Sequence, residues 1–267
     1  MKRWIAWILT LCLACTTGGI VLGDDAGQET EQSAQAAADL EFLNCLGILV
    51  FEDDEFDGSA EMTRGEFARQ AALLFNESEE QYETLESPYT DVDSYTDGVG
   101  AILMLTKRKL FNGYGDGTFR PDDGISTDEA ATVAARMLGY SVLDSGNFLW
   151  MKSKLGFSQV RPLTYNDAAE LFVRLLESEC VEYNEFGTNL SYTVDRTFLE
   201  VHFGIEKHIG RITANRLTSL ESPDGTAEGY VEIDGELYLS ETMDLSRLLG
   251  YRVKYYIREA KQKELEV

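Results

Sequence analysis

The segment "FNGYGDGTFRPDDGIS", residues 111–126, decides how the rest of this chain is interpreted. It contains four glycines, three aspartates and one proline within sixteen positions. Glycine-rich loops can hold phosphate groups, and aspartate-rich loops can hold calcium. A third possibility is a turn that binds nothing and only connects two elements. The residues inside and around the loop distinguish these three possibilities.

Neither ligand-binding pattern is complete. A dinucleotide-binding loop follows a strand, whereas the residues before Phe111 have helical periodicity, and no Lys-Ser or Lys-Thr pair completes a P-loop. A calcium loop needs oxygen ligands at alternating positions, and Tyr114 interrupts that series. The sequence therefore favours a structural turn, in which glycines allow positive φ angles and Phe119 folds back between helices. We predict no metal and no cofactor.

The same kind of helix start occurs three times along the chain. The segments are "MTRGEFARQAALLF" from Met62, "ISTDEAATVAARML" from Ile125 and "LTYNDAAELFVRLL" from Leu163. Capping boxes are predicted at the pairs Thr63 and Glu66, Ser126 and Glu129, and, in a weaker form, Thr164 and Asp167. An apolar helical segment precedes each start, from Asp39, Val99 and Asn147. The repeating unit is therefore a helix, a loop and a capped helix.

Residues 89–139 resemble the surface-layer homology (SLH) domain. The family's loop is matched completely by Gly113, Tyr114, Gly115, Asp116, Gly117, Thr118, Phe119, Arg120 and Pro121. Its helix start, Ile-Thr-Arg-Ala-Glu, is resembled by Met62-Thr63-Arg64-Gly65-Glu66 in the first repeat, which lacks the loop. The resemblance implies a mainly α fold, in which three helix-loop-helix repeats form a pseudo-threefold bundle.

The resemblance also implies a function and a set of contacts. Members of this family bind an anionic, often pyruvylated, secondary polysaccharide on the peptidoglycan of Gram-positive walls, in grooves between repeats. The arginine of the helix start contacts the glycan in the family, and Arg64 is the matching residue here, since Thr127 and Tyr165 stand in the other two repeats. We therefore expect Arg64 to be the main contact. Weaker candidates are the cations next to or inside the loop, namely Lys107, Arg108, Lys109 and Arg120.

The chain divides into six predicted segments: a signal peptide at 1–23, an acidic linker at 24–35, repeats at 36–80, 87–141 and 145–183, and a small β module at 190–267. Lipidation at Cys15 is an open alternative. The formal net charge of −24 disfavours nucleic-acid binding. No apolar run in the mature chain reaches the about 18 residues of a membrane span. We expect a secreted protein of the cell wall that also self-associates at the surface.

Alternating residues predict strands in the last module, which we expect to be mostly antiparallel. The strand segments begin near Ile209, Gly229 and Tyr251, and Asp234-Gly235 predicts a two-residue hairpin turn. A short helix is predicted at 244–250. The chain ends within the pattern of a strand, which suggests an incomplete module of a larger surface protein.

The remaining residues that could carry chemistry give no catalytic assignment. His202 and His208 are the only histidines and have no catalytic motif around them. We expect Cys45 and Cys180 to be buried thiols rather than a disulfide, and Trp150 to lie in the core. The expected role is a non-enzymatic anchor. Two alternatives stay open: a surface enzyme or sugar-processing accessory with its activity in the last module, and a platform for protein interactions.

Overall fold

The computed structural model describes residues 25–49, 57–186, 189–220, 225–239 and 248–258, with side chains outside 25–34 and 183–195. The predicted signal peptide and Cys15 lie outside the described residues. The chain forms two compact units. Of the described residues, one unit comprises those from 31 to 198, and the other comprises those from 199 to 258 together with 25–30. Among the described residues, no helix is both long enough and apolar enough to cross a bilayer.

The helices of the first unit lie where the sequence predicted helical segments. They are α1 (Asp25–Cys45), α2 (Arg64–Leu73), α4 (Val99–Lys107), α5 (Thr127–Met137), α6 (Ser145–Leu155) and α7 (Tyr165–Leu176). A one-turn helix, α3 (Glu80–Glu83), is an addition that the sequence did not predict. Helix α1 begins at Asp25, so the polar segment predicted as a linker is helical.

Each of the three capped helices begins with a complete capping box. At α2, the Glu66 amide donates to the Thr63 hydroxyl, and the Thr63 amide donates to the Glu66 carboxylate at 2.8 Å. The same exchange occurs at Ser126 with Glu129. The third box, predicted to be weaker, is equally complete, because the shorter Asp167 side chain still reaches the Thr164 amide at 2.9 Å. Each box satisfies two donors that a helix start leaves unpaired.

A ring of three backbone hydrogen bonds joins the three helix starts. The Met62 amide donates to the Leu163 carbonyl at 2.8 Å, the Leu163 amide to the Ile125 carbonyl at 2.9 Å, and the Ile125 amide to the Met62 carbonyl at 3.1 Å. All three side chains are fully buried. Each repeat therefore completes its helix start with a partner from another repeat, and no single repeat can form this arrangement alone.

Aromatic side chains fill the space between the helices. Phe67 on α2 contacts Phe111 edge to face at 5.9 Å between ring centroids and Phe172 on α7 at 5.5 Å. All three rings are buried. Such pairs add to the free energy that burial of the rings contributes. This cluster places the residue that opens the loop, Phe111, at the centre of the unit.

A β-hairpin completes the first unit and was not predicted. Strands β1 (Glu179–Phe186) and β2 (Asn189–Thr197) are antiparallel, and the Val181 amide donates to the Leu138 carbonyl at the end of α5. Gly139 has a φ of 90°, and a Cβ there would lie 2.1 Å from the Val181 carbonyl oxygen. The hairpin belongs with the helices, so this unit extends to Phe198, beyond the predicted end of the third repeat at 183.

The second unit is built on an antiparallel sheet. Helix α8 (Phe198–Phe203) leads into the strands β3 (Ile205–Ala214), β4 (Tyr230–Ile233), β5 (Glu236–Leu239) and β6 (Arg252–Arg258), which lie in the order β5-β4-β3-β6. Asp234 and Gly235 have φ angles of 50° and 85°, as a tight hairpin turn with left-handed residues requires. The core of the sheet contains Ile212, Val231, Ile233, Tyr238, Val253 and Tyr255. Most of the predicted helix at 244–250 lies outside the described residues.

Two predictions about single side chains were wrong. Cys45 is exposed and Cys180 is only partly buried, whereas both thiols were expected to be buried. Trp150, expected in the core, is 57% exposed. Helix α6 buries Phe148, Met151 and Leu155. Trp150 is not on this buried face of the helix.

Candidate functional site

Hydrogen bonds join the glycine-rich loop to the segment that precedes α4. The Asp91 carboxylate accepts hydrogen bonds from the amides of Phe119 and Arg120 at 2.8 and 2.7 Å. The Tyr89 hydroxyl accepts from the Gly113 amide at 2.9 Å. Phe119 is fully buried between Phe111 and Tyr89, with ring centroids 5.0 and 5.4 Å away. The predicted return of Phe119 between the helices is confirmed.

Two charged side chains of the loop, Asp116 and Arg120, pair with each other. The Asp116 carboxylate accepts from the hydroxyl and amide of Thr118 and from the Arg120 guanidinium at 2.7 Å. Hydrogen bonds from Thr118 and Arg120 lower the pKa of Asp116 to about 2. The ion pair of Arg120, a weaker candidate for glycan contact, is with Asp116. No group of three His, Cys, Asp or Glu residues suited to a metal ion occurs in the described part of the chain.

Two of the three alternating glycines in the loop are required by its geometry. Gly117 has a φ of 85°, which other residues adopt only with strain. A Cβ on Gly113 would lie 2.4 Å from both the Thr118 carbonyl oxygen and the Tyr89 ring. Gly115 has neither constraint, since a Cβ there would have no atom within 4 Å and its φ is not positive.

Arg64 lies beneath the loop and is 2% exposed. Its Nε donates to the Phe119 carbonyl at 2.9 Å, its Nη1 to the Glu129 carboxylate at 2.9 Å and its Nη2 to the Asn112 carbonyl at 3.3 Å. The guanidinium carbon also lies 4.6 to 4.9 Å from three ring centroids, those of Phe111, Tyr114 and Phe119. The side chain thus ties the first capped helix to the loop and the capped helix of the second repeat.

The residues that stand in place of Arg64 in the other repeats also reach a neighbouring repeat. The Thr127 hydroxyl donates to the Gln159 carbonyl at 3.0 Å and accepts from the Arg161 amide. Tyr165 is hydrogen bonded to Glu66, and burial together with this carboxylate raises the pKa of Tyr165 to about 12. We call the contact between two neighbouring repeats a junction. Arg64 fills the first junction, between repeats one and two. Thr127 takes this place at the second junction, between repeats two and three, and Tyr165 takes it at the third, between repeats three and one.

Arg161 supplies the cation that the second junction lacks at position 127. Its guanidinium forms a forked pair with Asp167, with one contact at 2.7 Å, just as Arg64 pairs with Glu129. Sequence reasoning missed this residue. The available signal was the dipeptide Arg161-Pro162, which repeats Arg120-Pro121 of the loop ahead of the next helix start. Each acid of the three capping boxes therefore also bonds to a side chain outside its box: Glu66 to Tyr165, Glu129 to Arg64, and Asp167 to Arg161.

The Arg161 pair should make stability depend on pH. Burial raises the pKa of Asp167, but the Arg161 guanidinium and the Thr164 amide and hydroxyl lower it more, so the pKa lies below its usual range. This contribution is fully present above the unfolded pKa of about 3.9 and is lost as pH falls through the lower folded value. The free energy of unfolding, measured in urea, should fall between about pH 7 and 3. In Asp167→Asn this fall should be smaller than in wild type by about 1 kcal/mol. Glu170→Gln is the control, because Glu170 forms only a surface pair with Arg174. Equal pH dependence in both variants would contradict the assignment.

A cleft of about 310 Å³ lies between α5 and α6, beside the second junction. Its walls comprise Thr127, Asp128 and Ala131 on α5, Leu149, Lys152 and Ser153 on α6, and Gly156, Phe157, Gln159 and Val160 on the connection to α7. Lys152 pairs with Asp128 across the cleft at 2.8 Å. On the same helix, Trp150 is exposed beside Lys154, whose ammonium lies 5.4 Å from the indole centroid. The sequence did not indicate this cleft.

The other predicted cations occupy two places. Arg64 and Arg120 come together, since their guanidinium carbons lie 4.7 and 4.2 Å from the Tyr114 ring centroid. Arg108 pairs with Glu77 at 2.6 Å, and Lys107 lies over the Tyr82 ring at 5.5 Å. Lys107 and Lys109 are exposed at the end of α4. In the second unit, His208 pairs with Glu206 and stacks on Tyr255.

Comparison with known proteins adds two kinds of match. The family model described as "S-layer homology domain" matches residues 88–131. Middle cell wall protein of Brevibacillus brevis is 24% identical over 215 residues, which cover 74% of this chain and 20% of that protein. Surface layer protein of Brevibacillus choshinensis is 25% identical over 217 residues, covering 74% and 19%. Cell surface glycoprotein 1 of Acetivibrio thermocellus is 36% identical over 88 residues, covering 33% and 4%. The chain spans at most about a fifth of these relatives.

Proposed function

Since the chain is an S-layer homology domain protein, secreted and located at the cell surface, we propose that it is a non-enzymatic anchor that binds an anionic wall polysaccharide. The pyruvylated type of glycan on peptidoglycan is the proposed ligand. The names of the related proteins describe wall and surface components, which supports a structural role. The observation that carries the proposal is the cleft between α5 and α6.

The cleft has the size and chemistry for one or two sugar residues. Its volume of about 310 Å³ lies within the range of small-molecule sites. The pair of Lys152 and Asp128 offers both a donor and an acceptor to sugar hydroxyls, and Gln159 and Ser153 add neutral polar groups. Phe157 contributes an apolar wall. A mixed lining of this kind suits a ring that has polar edges and an apolar face.

The surroundings of the cleft favour an anion within a strongly acidic chain. Helix α6 carries Lys152 and Lys154 and no acidic residue. The Arg161 side chain is 45% exposed next to the cleft residues Gln159 and Val160. An acidic substituent on the glycan would find these cations within one helix and its connection. Trp150 offers an exposed ring beside them on which a sugar can stack.

We propose a different role for Arg64 than direct contact. The guanidinium is enclosed by the loop, so its contribution to binding is to hold the second repeat in place. Lys107, Lys109 and Arg120 are exposed and stay proposed as further contacts, while Arg108 is engaged by Glu77. The ring of hydrogen bonds at Met62, Ile125 and Leu163 supports the predicted pseudo-threefold arrangement of repeats.

Filling the cleft should abolish anchoring without unfolding the chain. Ser153 is exposed and lines the cleft, so Ser153→Trp should occupy the space that a sugar needs while removing no buried contact. We expect the fraction that pellets with purified wall sacculi to fall about tenfold, because a lost site costs a large part of the binding free energy. Wild type should pellet with sacculi only before their secondary polysaccharide is stripped.

Ser158→Trp is the matched control for this experiment. Ser158 is exposed on the same connection but is not part of the cleft wall, so this variant should pellet like wild type. Equal pelleting of wild type with intact and stripped sacculi would refute binding to the polysaccharide. Full retention by Ser153→Trp would refute the cleft as its site.

A further inference from the structure

Helices α4 and α6 occupy equivalent places in the second and third repeats. Their N-cap residues are Gly98 and Asp144. Beyond their ends, an arginine of the following capped helix donates to the carbonyl of Leu110 in one repeat and to that of Gly156 in the other. Counting from either end gives the same correspondence between the two helices: Gly100 with Gly146, Met104 with Trp150, and Arg108 with Lys154. Residues four apart share one side of a helix, so each set of three forms a stripe.

In the second repeat, the chain itself covers this stripe. The one-turn helix α3 packs against α4, and a Cβ on Gly100 would lie 2.8 Å from the Glu79 carbonyl oxygen. Met104, in the middle of the stripe, is fully buried. A glycine therefore lets the backbone of the covering segment approach α4 closely.

The covering segment, residues 77–86, is acidic and is held by cations of α4 and its C-cap. Arg108 pairs with Glu77 at 2.6 Å and donates to the Tyr82 hydroxyl at 3.3 Å. The Lys107 ammonium lies 5.5 Å from the Tyr82 ring centroid. The segment has no basic residue and carries five acids, namely Glu77, Glu79, Glu80, Glu83 and Glu86.

The corresponding side of α6 has no such cover within the described residues. Gly146, Trp150 and Lys154 form what we call the outer stripe. A Cβ on Gly146 would meet no atom within 4 Å, and Trp150 is 57% exposed. Lys154 is exposed and forms no ion pair with a described carboxylate. The connection before α4 runs from 74 to 98 and includes α3, whereas the one before α6 runs only from 138 to 144 and has no room for a similar helix.

We infer that the outer stripe is a docking site for an acidic helical segment of another protein. The segment has the chemistry that α3 provides on α4: a short helix rich in glutamate with one aromatic side chain. Gly146 lets the backbone of this segment approach, Trp150 gives an apolar contact, and Lys154 pairs with a carboxylate. This inference goes beyond the proposed function and does not depend on a glycan in the cleft. A glycan that extends from the cleft to Trp150 would compete with the segment.

The surroundings of the outer stripe favour an acidic occupant. Helix α6 carries Lys152 and Lys154 and no acidic residue, in a chain of net charge −24. Long-range repulsion between this chain and an acidic peptide is screened beyond about 8 Å at physiological salt. Exposed apolar side chains on α6 and just before it enlarge the contact, namely Val142, Leu143 and Leu149. Exposed apolar groups next to charged ones are typical of interaction sites.

The test uses the full chain and a labelled synthetic peptide with the sequence of residues 77–86, in fluorescence polarisation at about 150 mM salt. We expect wild type to bind this peptide with a Kd below about 1 mM. Gly146→Gln should weaken binding at least about tenfold, because its side chain holds the peptide backbone away. The thermal midpoint of this variant should not decrease, since the site is open and Gln suits a helix better than Gly. Trp150→Ala should also lose about tenfold, as expected for an aromatic anchor.

A neighbouring variant and a neutral peptide are the controls. Ser145 is also exposed but points away from the outer stripe, because successive residues of a helix are rotated by about 100°, so Ser145→Gln should bind like wild type. A peptide with every Glu replaced by Gln should bind at least about tenfold more weakly. Sacculi are absent from this assay, so failure of the cleft proposal leaves its result unaffected.

Four results would overturn the inference. They are a wild-type Kd above about 1 mM, full binding by Gly146→Gln, an equal loss in Ser145→Gln, and undiminished binding of the neutral peptide. Self-association of wild type that Gly146→Gln abolishes, without peptide binding, overturns it as well and assigns the outer stripe to contact between copies.

Discussion

Replacement of Arg64 by alanine should lower the free energy of unfolding of the first unit by about 3 kcal/mol and its thermal midpoint by about 10 °C. The change removes three hydrogen bonds and leaves the Phe119 and Asn112 carbonyls unsatisfied beneath the loop. It also removes the cation that faces three aromatic rings. The value lies at the lower end for a broken buried pair, since the partner Glu129 is partly exposed. Urea and thermal unfolding followed by circular dichroism measure both quantities.

Arg69→Ala is the matched control, because Arg69 lies on the same helix and its ion pair with Asp97 is exposed. This variant should lose less than about 1 kcal/mol, as surface pairs usually do. Arg64→Met is a second variant that keeps much of the packing volume and should lie between alanine and wild type. If Arg64→Ala keeps wild-type stability and yet fails to pellet with wall sacculi, the sequence-based prediction of a direct glycan contact is correct and the structural role is wrong.

Replacement of Gly113 by alanine should destabilise the first unit by about 2–3 kcal/mol, as overpacking of a fixed site does. The added methyl group would lie 2.4 Å from the Thr118 carbonyl oxygen and from the Tyr89 ring. To relieve these contacts, the Thr118 backbone or the Tyr89 ring must move. Either movement disturbs the hydrogen bond from the Gly113 amide to the Tyr89 hydroxyl. Hydrogen exchange at the amides of Phe119 and Arg120, which bond to Asp91, should become faster together with the loss of stability.

Gly115→Ala, two positions away in the same loop, is the control. A methyl group there meets no atom within 4 Å and the backbone angle suits alanine, so stability should stay the same or rise slightly. Equal effects of the two substitutions would show that Tyr89 and Thr118 do not enclose Gly113 in the folded loop.

Local signals in the sequence were sufficient for the helix starts. A capping box needs only two side chains three positions apart, so Thr63 with Glu66 and Ser126 with Glu129 could be identified before any tertiary contact was known. The turn at Asp234-Gly235 follows from the same kind of local chemistry. The resemblance of the loop to the SLH domain then supplied the family, which the comparison with known proteins supports.

Contacts between repeats could not be deduced in this way. The resemblance assigned Arg64 to ligand contact. The sequence does not show that Arg64 is buried, because its burial depends on where the loop of the next repeat folds. The pair of Arg161 with Asp167 lies within the third repeat, and Arg161 was overlooked because Asp167 was already explained by a cap. The cleft arises from two helices and their connection, and the alternating residues of β2 were assigned to the β module that starts at 190, not to a hairpin with the residues before them.

The ring at Met62, Ile125 and Leu163 also determines how early the first unit can fold. The amide of Met62 finds its partner at Leu163, near the end of the repeats, so the first helix start stays incomplete until Leu163 is available. A chain synthesised from its N-terminus therefore cannot close this ring early.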